Sequence, residues 1–248
     1  MELTLTLLGA VFGGAAGALV PRAAYRFAVD AAEPWRARCP RGHAIAGPWG
    51  GWVGFARCPS DARPEGGGAC RYGPGRGVAP AVSALVCGLL AAVVGARPEL
   101  AVLLVVTPFA VLLSAVDGAV HRLPDVVTLP LAAATVALLG AAALLPGHGG
   151  SWVTAVAGSL ALAALYGTLF LVNPAGMGLG DVKLALSVGA LLGWYGWPTL
   201  FLGTFAAFGA GALFGVALMV LRRAHRRTAM AFGPFMLAGA LVGVVGAG

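Results

Sequence analysis

Eight apolar runs, most of them long enough to cross a lipid bilayer, constrain this chain more than any other feature. Hydrocarbon about 30 Å thick needs about 20 apolar residues in a helix. The runs are Leu3 to Val20, Val78 to Val94, Leu100 to Val116, Val126 to Leu145, Trp152 to Val172, Val182 to Tyr195, Leu200 to Leu221 and Ala229 to Val245. The sixth is the shortest. Of the 248 residues, 59% are hydrophobic and 10% charged, too little polar surface to cover a soluble globule of that size. The expected fold is therefore all-α, a polytopic transmembrane helix bundle of about eight spans. The first run has Glu2 ahead of it instead of a basic residue, and it reads as a retained span, not a cleaved signal.

Charge placement supports that count. With eight spans, fifteen of the sixteen basic residues fall on one side, nine of them between Pro21 and Gly77 and four more at Arg222, Arg223, Arg226 and Arg227. Only Arg97 lies opposite. Lys and Arg are retained on the cytoplasmic side, which puts both termini outside the cytoplasm. The net charge of +7 is thus a matter of topology; no aromatic-interleaved basic stripe accompanies it, and nucleic acid is not an expected partner. The chain divides into a first span (1–20), a cytoplasmic loop rich in Arg, Gly and Pro (21–77) and a transmembrane helical region (78–248). The loop has no periodic apolar run long enough for a core of its own.

Beyond Glu99 only three acidic residues occur, Asp117, Asp125 and Asp181, each at an expected span end on the cytoplasmic side. A carboxylate beside hydrocarbon costs several kcal/mol unless paired, hydrated or protonated, so each is a candidate functional group as well as a possible interface marker. Asp117 directly follows an uninterrupted apolar run, whereas Asp125 lies beyond Arg122, so Asp117 is the deeper of the two. Asp181 follows Gly176, Gly178 and Gly180, which allow tight turns just before the sixth span.

Gly178-Leu179-Gly180-Asp181-Val182-Lys183 resembles the GxGDxK motif of the type IV prepilin peptidases, a family of GxGD intramembrane aspartyl proteases. The stretch from Asp117 through Leu123-Pro124-Asp125 to Thr128-Leu129-Pro130 is similar to that family's first aspartate motif, and Phe232-Gly233-Pro234-Phe235 to its third signature. The resemblance implies a membrane aspartic endopeptidase that removes a short basic leader from prepilin or pseudopilin-like precursors at the cytoplasmic membrane. Asp117 and Asp181 would be its catalytic pair, with Asp125, Gly178, Gly180 and Lys183 in support. Two close carboxylates share one proton, so one can activate a water while the other polarises the scissile carbonyl. Lys183 is open to either a substrate-binding or an interface role, and His121 reads as a loop residue.

Three of the four cysteines, Cys39, Cys58 and Cys70, fall in the loop, where cytoplasmic thiols stay reduced; Cys87 reads as a small apolar residue of the second span. Many relatives carry two CxxC pairs here. In this chain Cys39-Pro40-Arg41-Gly42-His43 resembles one such element without its second cysteine, and Cys58 and Cys70 do not form a pair. The loop reads as metal-free, a zinc site at Cys39, His43, Cys58 and Cys70 being the alternative. Bifunctional members use S-adenosylmethionine to methylate the new amino terminus. Pro21, the segment Pro48 to Cys58, and Ser83 all depart from the pattern tied to that activity, which weighs against methylation here. The rival classes are an ion-coupled transporter, since membrane carboxylates also relay protons, and an inactive assembly scaffold.

Overall fold

The computed structural model describes residues 2–30, 33–58, 71–174, 176–221 and 231–247. Cys70 and the four arginines at 222, 223, 226 and 227 lie outside them. Ten helices follow in order: α1 (Glu2–Gly17), α2 (Val20–Phe27), the single turn α3 (Pro48–Gly51), α4 (Ala79–Val94), α5 (Glu99–Val120), α6 (Asp125–Ala143), α7 (Trp152–Val172), α8 (Leu179–Trp194), α9 (Trp197–Val220) and α10 (Gly233–Ala247). Among the described residues the only extended pairing is two isolated antiparallel bridges, Arg38 with Ala44 and Arg57 with Arg71. The protein is an all-α, multi-pass membrane protein.

Eight apolar helices or helix pairs stand where eight spans are expected. Five are long and apolar enough to cross a membrane: Glu2–Phe27 (α1 with α2), α5, α6, α7 and α9. Helices α4, α8 and α10 have 16, 16 and 15 residues, about 24 Å or less at 1.5 Å per residue. For α8 the shortness has a physical accommodation. Its side chains Leu184, Ala185, Val188, Leu191, Leu192 and Trp194 are all buried, so its surroundings are mostly other helices.

Small residues set the helix spacing. In the α1–α4 pair, Gly9, Gly13 and Gly17 form the buried face of α1, and a methyl group on Gly13 would collide with the Ser83 carbonyl. In the α7–α8 pair, a Cβ on Gly158 would come within 2.7 Å of the Gly189 carbonyl oxygen. Backbones this close gain dispersion contact that larger side chains would prevent, which in lipid replaces the missing hydrophobic drive.

The described part of the loop is more ordered than its composition suggests. Its first residues continue the first span as α2, which packs Val20 and Ala24 against Leu112 and Val116 of α5. From α2, the buried Arg22 donates from Nη1 to the Val53 carbonyl (3.2 Å) and from Nη2 to the Ala46 carbonyl. Arg26 donates to the Gly50 carbonyl (2.8 Å) and lies 3.9 Å from the Trp52 ring centroid. Two cations aimed at three carbonyls satisfy a segment with no ladder of its own. Around it Cys39, Ile45, Ala56 and Tyr72 form a small buried cluster. This core is assembled from residues scattered along the loop, which no periodic apolar run announces.

Candidate active site

The last turn of α5 and the first turn of α8 each carry one aspartate, and both line a single polar cleft of about 520 Å³. Helix α5 runs on through Asp117 to Val120, past the expected end of its span, and His121 closes it in the left-handed conformation (φ 52°). Asp117 is therefore inside the helix, 4% exposed; Asp181 is 7% exposed.

Each carboxylate is held by the backbone of a glycine. Gly233, the first residue of α10, donates its N–H to Asp117 Oδ2 at 2.9 Å. Gly178, immediately before α8, donates its N–H to Asp181 Oδ2 at 3.2 Å. A helix start offers N–H groups with no partner inside the helix, and these are suited to anionic oxygens. In both cases Oδ2 is the anchored oxygen. Gly180 has a different reason to be glycine: a Cβ there would lie 2.9 Å from the Leu123 Cβ, so the two motif segments touch through it.

Asp125 and Lys183 also line the cleft, and they pair with one another at 2.7 Å across the starts of α6 and α8. Their side chains are 58% and 29% exposed, so this is a surface pair of modest strength that ties the two motif segments at their rim. Of the two roles open to Lys183 in the sequence, the geometry occupies it with Asp125. The cleft includes Asp30, just past α2, and His121, both exposed. Asp30 was not singled out by the sequence, since it lies in an arginine-rich loop far from either motif.

A second carboxylate escaped the sequence reading. Glu99, at the opposite end of α5, is fully buried; Oε1 accepts the Gly149 N–H at 2.9 Å, and Oε2 has no partner among the described residues.

The loop brings three candidate ligands together. The ligand atoms of Cys39, His43 and Cys58 all lie within 4.8 Å of one another, with Cys39 Sγ 3.5 Å from His43 Nδ1. Tetrahedral zinc, with bonds of about 2.3 Å to sulfur and about 2.0 Å to nitrogen, requires a similar separation of about 3.5 Å. Burial pushes the Cys39 thiol up, but hydrogen bonds involving Cys58, the backbone at Arg41 and His43 outweigh it and bring the thiol down to about 7. This set of soft and borderline donors fits zinc. The fourth candidate, Cys70, precedes Arg71 of the second bridge and lies outside the described residues. Cys87 is buried in α4, as expected of an apolar residue.

Residues 104–216 match the Type IV leader peptidase family. The chain is 37% identical over 136 residues to the prepilin leader peptidase/N-methyltransferase of Aeromonas salmonicida, covering 54% of this chain and 45% of that protein. It is 38% identical over 162 residues to that of Pseudomonas putida (60% and 52%), and 33% identical over 135 residues to that of Escherichia coli K12 (54% and 58%). The chain thus spans about half the length of the curated relatives it matches. No solved structure matches it significantly. The segment that matches the family, residues 104–216, contains both buried aspartates.

Proposed function

We propose that this protein is an aspartic endopeptidase of the cytoplasmic membrane, acting on prepilin or pseudopilin-like precursors, with Asp117 and Asp181 as its catalytic pair. The observation that carries the reading is two buried carboxylates in one polar cleft, each anchored through one oxygen by a glycine N–H. Anchoring one oxygen leaves the other free for chemistry and fixes its direction, so the orientation is in place before substrate binds.

Two neighbouring carboxylates do not ionise together easily, so the pair holds one proton. The ionised member takes a proton from water as the water oxygen attacks the scissile carbonyl carbon. The protonated member donates to the carbonyl oxygen, giving a neutral gem-diol. Proton transfer to the peptide nitrogen then breaks the C–N bond, releasing an amine and a carboxylic acid and returning one proton to the pair. Asp125 and Lys183 hold the rim. With fifteen of sixteen basic residues assigned to the cytoplasmic side, the cleft opens there, where a precursor's leader would lie.

Replacing either aspartate keeps the shape and removes the acid–base pair. Asp117→Asn and Asp181→Asn are each expected to abolish cleavage of a co-expressed precursor, a loss of at least about 1,000-fold, with membrane insertion unchanged. Continued processing by either variant would overturn the assignment. Mass measurement of the mature amino terminus in the same experiment reads any methyl group directly.

We also infer that Cys39, His43 and Cys58 hold a zinc ion as a structural staple. Zinc there would tie the 39–45 turn to the segment paired through Arg57 and Arg71, and supply no chemistry at the aspartates. Purified protein is expected to carry about one zinc, as four-coordinate structural sites do, and Cys39→Ser is expected to lose it. A wild-type protein free of metal after purification without chelator would refute this.

A further inference from the structure

An apolar groove of about 250 Å³ runs along α5, walled by α4 and α10. Val82 and Val86 line it from α4, Val111 and Ser114 from α5, and Pro234 and Leu237 from α10. Along α5 it extends from Ser114 to Leu103, eleven residues or about 16 Å of helix. One end is placed with respect to the carboxylates: Ser114 is three residues from Asp117, and Pro234 follows the glycine whose N–H holds Asp117. Asp117 itself lines the polar cleft.

We infer that this groove seats the apolar helix that follows the scissile bond in the substrate, an inference that rests on the peptidase reading. The hydropathy of the two spaces is the argument. A chain whose peptide bond sits at the aspartates has one arm in a cleft lined by Asp30, His121 and Arg122 and the other beside a groove lined almost wholly by hydrocarbon. Only a substrate that changes from polar to apolar at the cleavage point fits both. Groove length favours a helix over a few extended residues, since about 16 Å accepts the side chains of three turns. Its volume exceeds the roughly 150 Å³ that takes a benzene-sized group, so large apolar side chains can enter along one face. A lipid acyl chain is the competing occupant.

The test uses full-length protein in nanodiscs. The probe is a synthetic precursor with a lysine-bearing leader, a glycine and about 20 apolar residues. It carries a benzophenone two turns, about seven residues, beyond the scissile bond. Asp117→Asn holds the precursor uncleaved during illumination, and mass spectrometry locates the adducts. Adducts on the groove faces of α4, α5 or α10 are expected. Adducts confined to lipid, or to α6, α7 or α9, overturn the inference.

Cleavage of unlabelled precursor by the wild-type protein separates the two claims. Cleavage with adducts elsewhere removes the groove alone. Groove adducts without cleavage retain the groove as a helix dock and overturn the peptidase reading, while absence of both overturns both. Ala238→Trp, which fills the groove from its exposed lip, is expected to lower kcat/KM about tenfold through KM. An unchanged KM counts against the groove.

Discussion

Gly233 shows how much of a carboxylate's behaviour can depend on a residue with no side chain. Its N–H holds Asp117, and a Cβ at the same position would lie 2.8 Å from Asp117 Oδ2. Gly233→Ala therefore forces the carboxylate to shift or give up its bond. A hydrogen bond to a charged group contributes about 1.5–3 kcal/mol, so cleavage should fall about 10- to 100-fold. Kinetics on a purified precursor, with protein levels matched, would check this; activity near wild type would show that the anchor is dispensable. The aspartates themselves were legible in the sequence because charge in an apolar chain is conspicuous. Their anchors were not, since a backbone donor leaves no trace in residue type and Gly233 is 116 positions from Asp117. Glu99 was hidden for another reason: a carboxylate at a helix start is commonplace, and burial depends on the loop that closes over it.

Among the helices, position along the chain was easier to read than packing. The Trp152–Val172 run agrees with α7 at both ends, and most other boundaries fall within three or four residues. Continuous hydrophobicity marks such helices clearly. It also hides their orientation, because a helix apolar on every face has no stripe to show which side meets protein and which meets lipid. The glycines carried that information, yet only contacts reveal which of 39 are interfacial. Gly158 and Gly209 make the contrast testable. A Cβ at Gly158 meets Gly189 O at 2.7 Å and Leu200 Cδ1 at 2.8 Å, while one at Gly209 meets nothing within 4 Å. Gly158→Ala is expected to destabilise by about 1–3 kcal/mol. Gly209→Ala should stabilise by about 0.5–1 kcal/mol, since helical glycine is entropically costly. Thermal unfolding in detergent compares them, and equal shifts would contradict the α7–α8 packing.

At the scale of the whole molecule, the two ends of the bundle differ in kind. One has the polar cleft, the ion pair and the arginine-anchored loop; the other is closed by Glu99 against Gly149. That separation makes stability and catalysis independently measurable. Glu99→Ala leaves the Gly149 N–H without its acceptor and should cost about 1–3 kcal/mol, whereas Glu99→Gln keeps an acceptor and should cost less. Neither should alter KM for precursor, because the change lies at the far end of α5. Loss of substrate affinity without loss of stability in Glu99→Ala would contradict this division.

Arg22 and Arg26 also have a consequence for how the molecule is made. Their guanidinium groups belong to the continuation of the first span, yet their acceptors are the carbonyls of residues 46, 50 and 53. The organising charges of the loop thus come from outside it. A peptide covering only residues 33–77 would be a fragment without its keystone, and shortening the first helix before Phe27 should scramble a region that the deletion does not touch. During synthesis the helical continuation leaves the ribosome first, so its two arginines are already present when their carbonyl partners emerge.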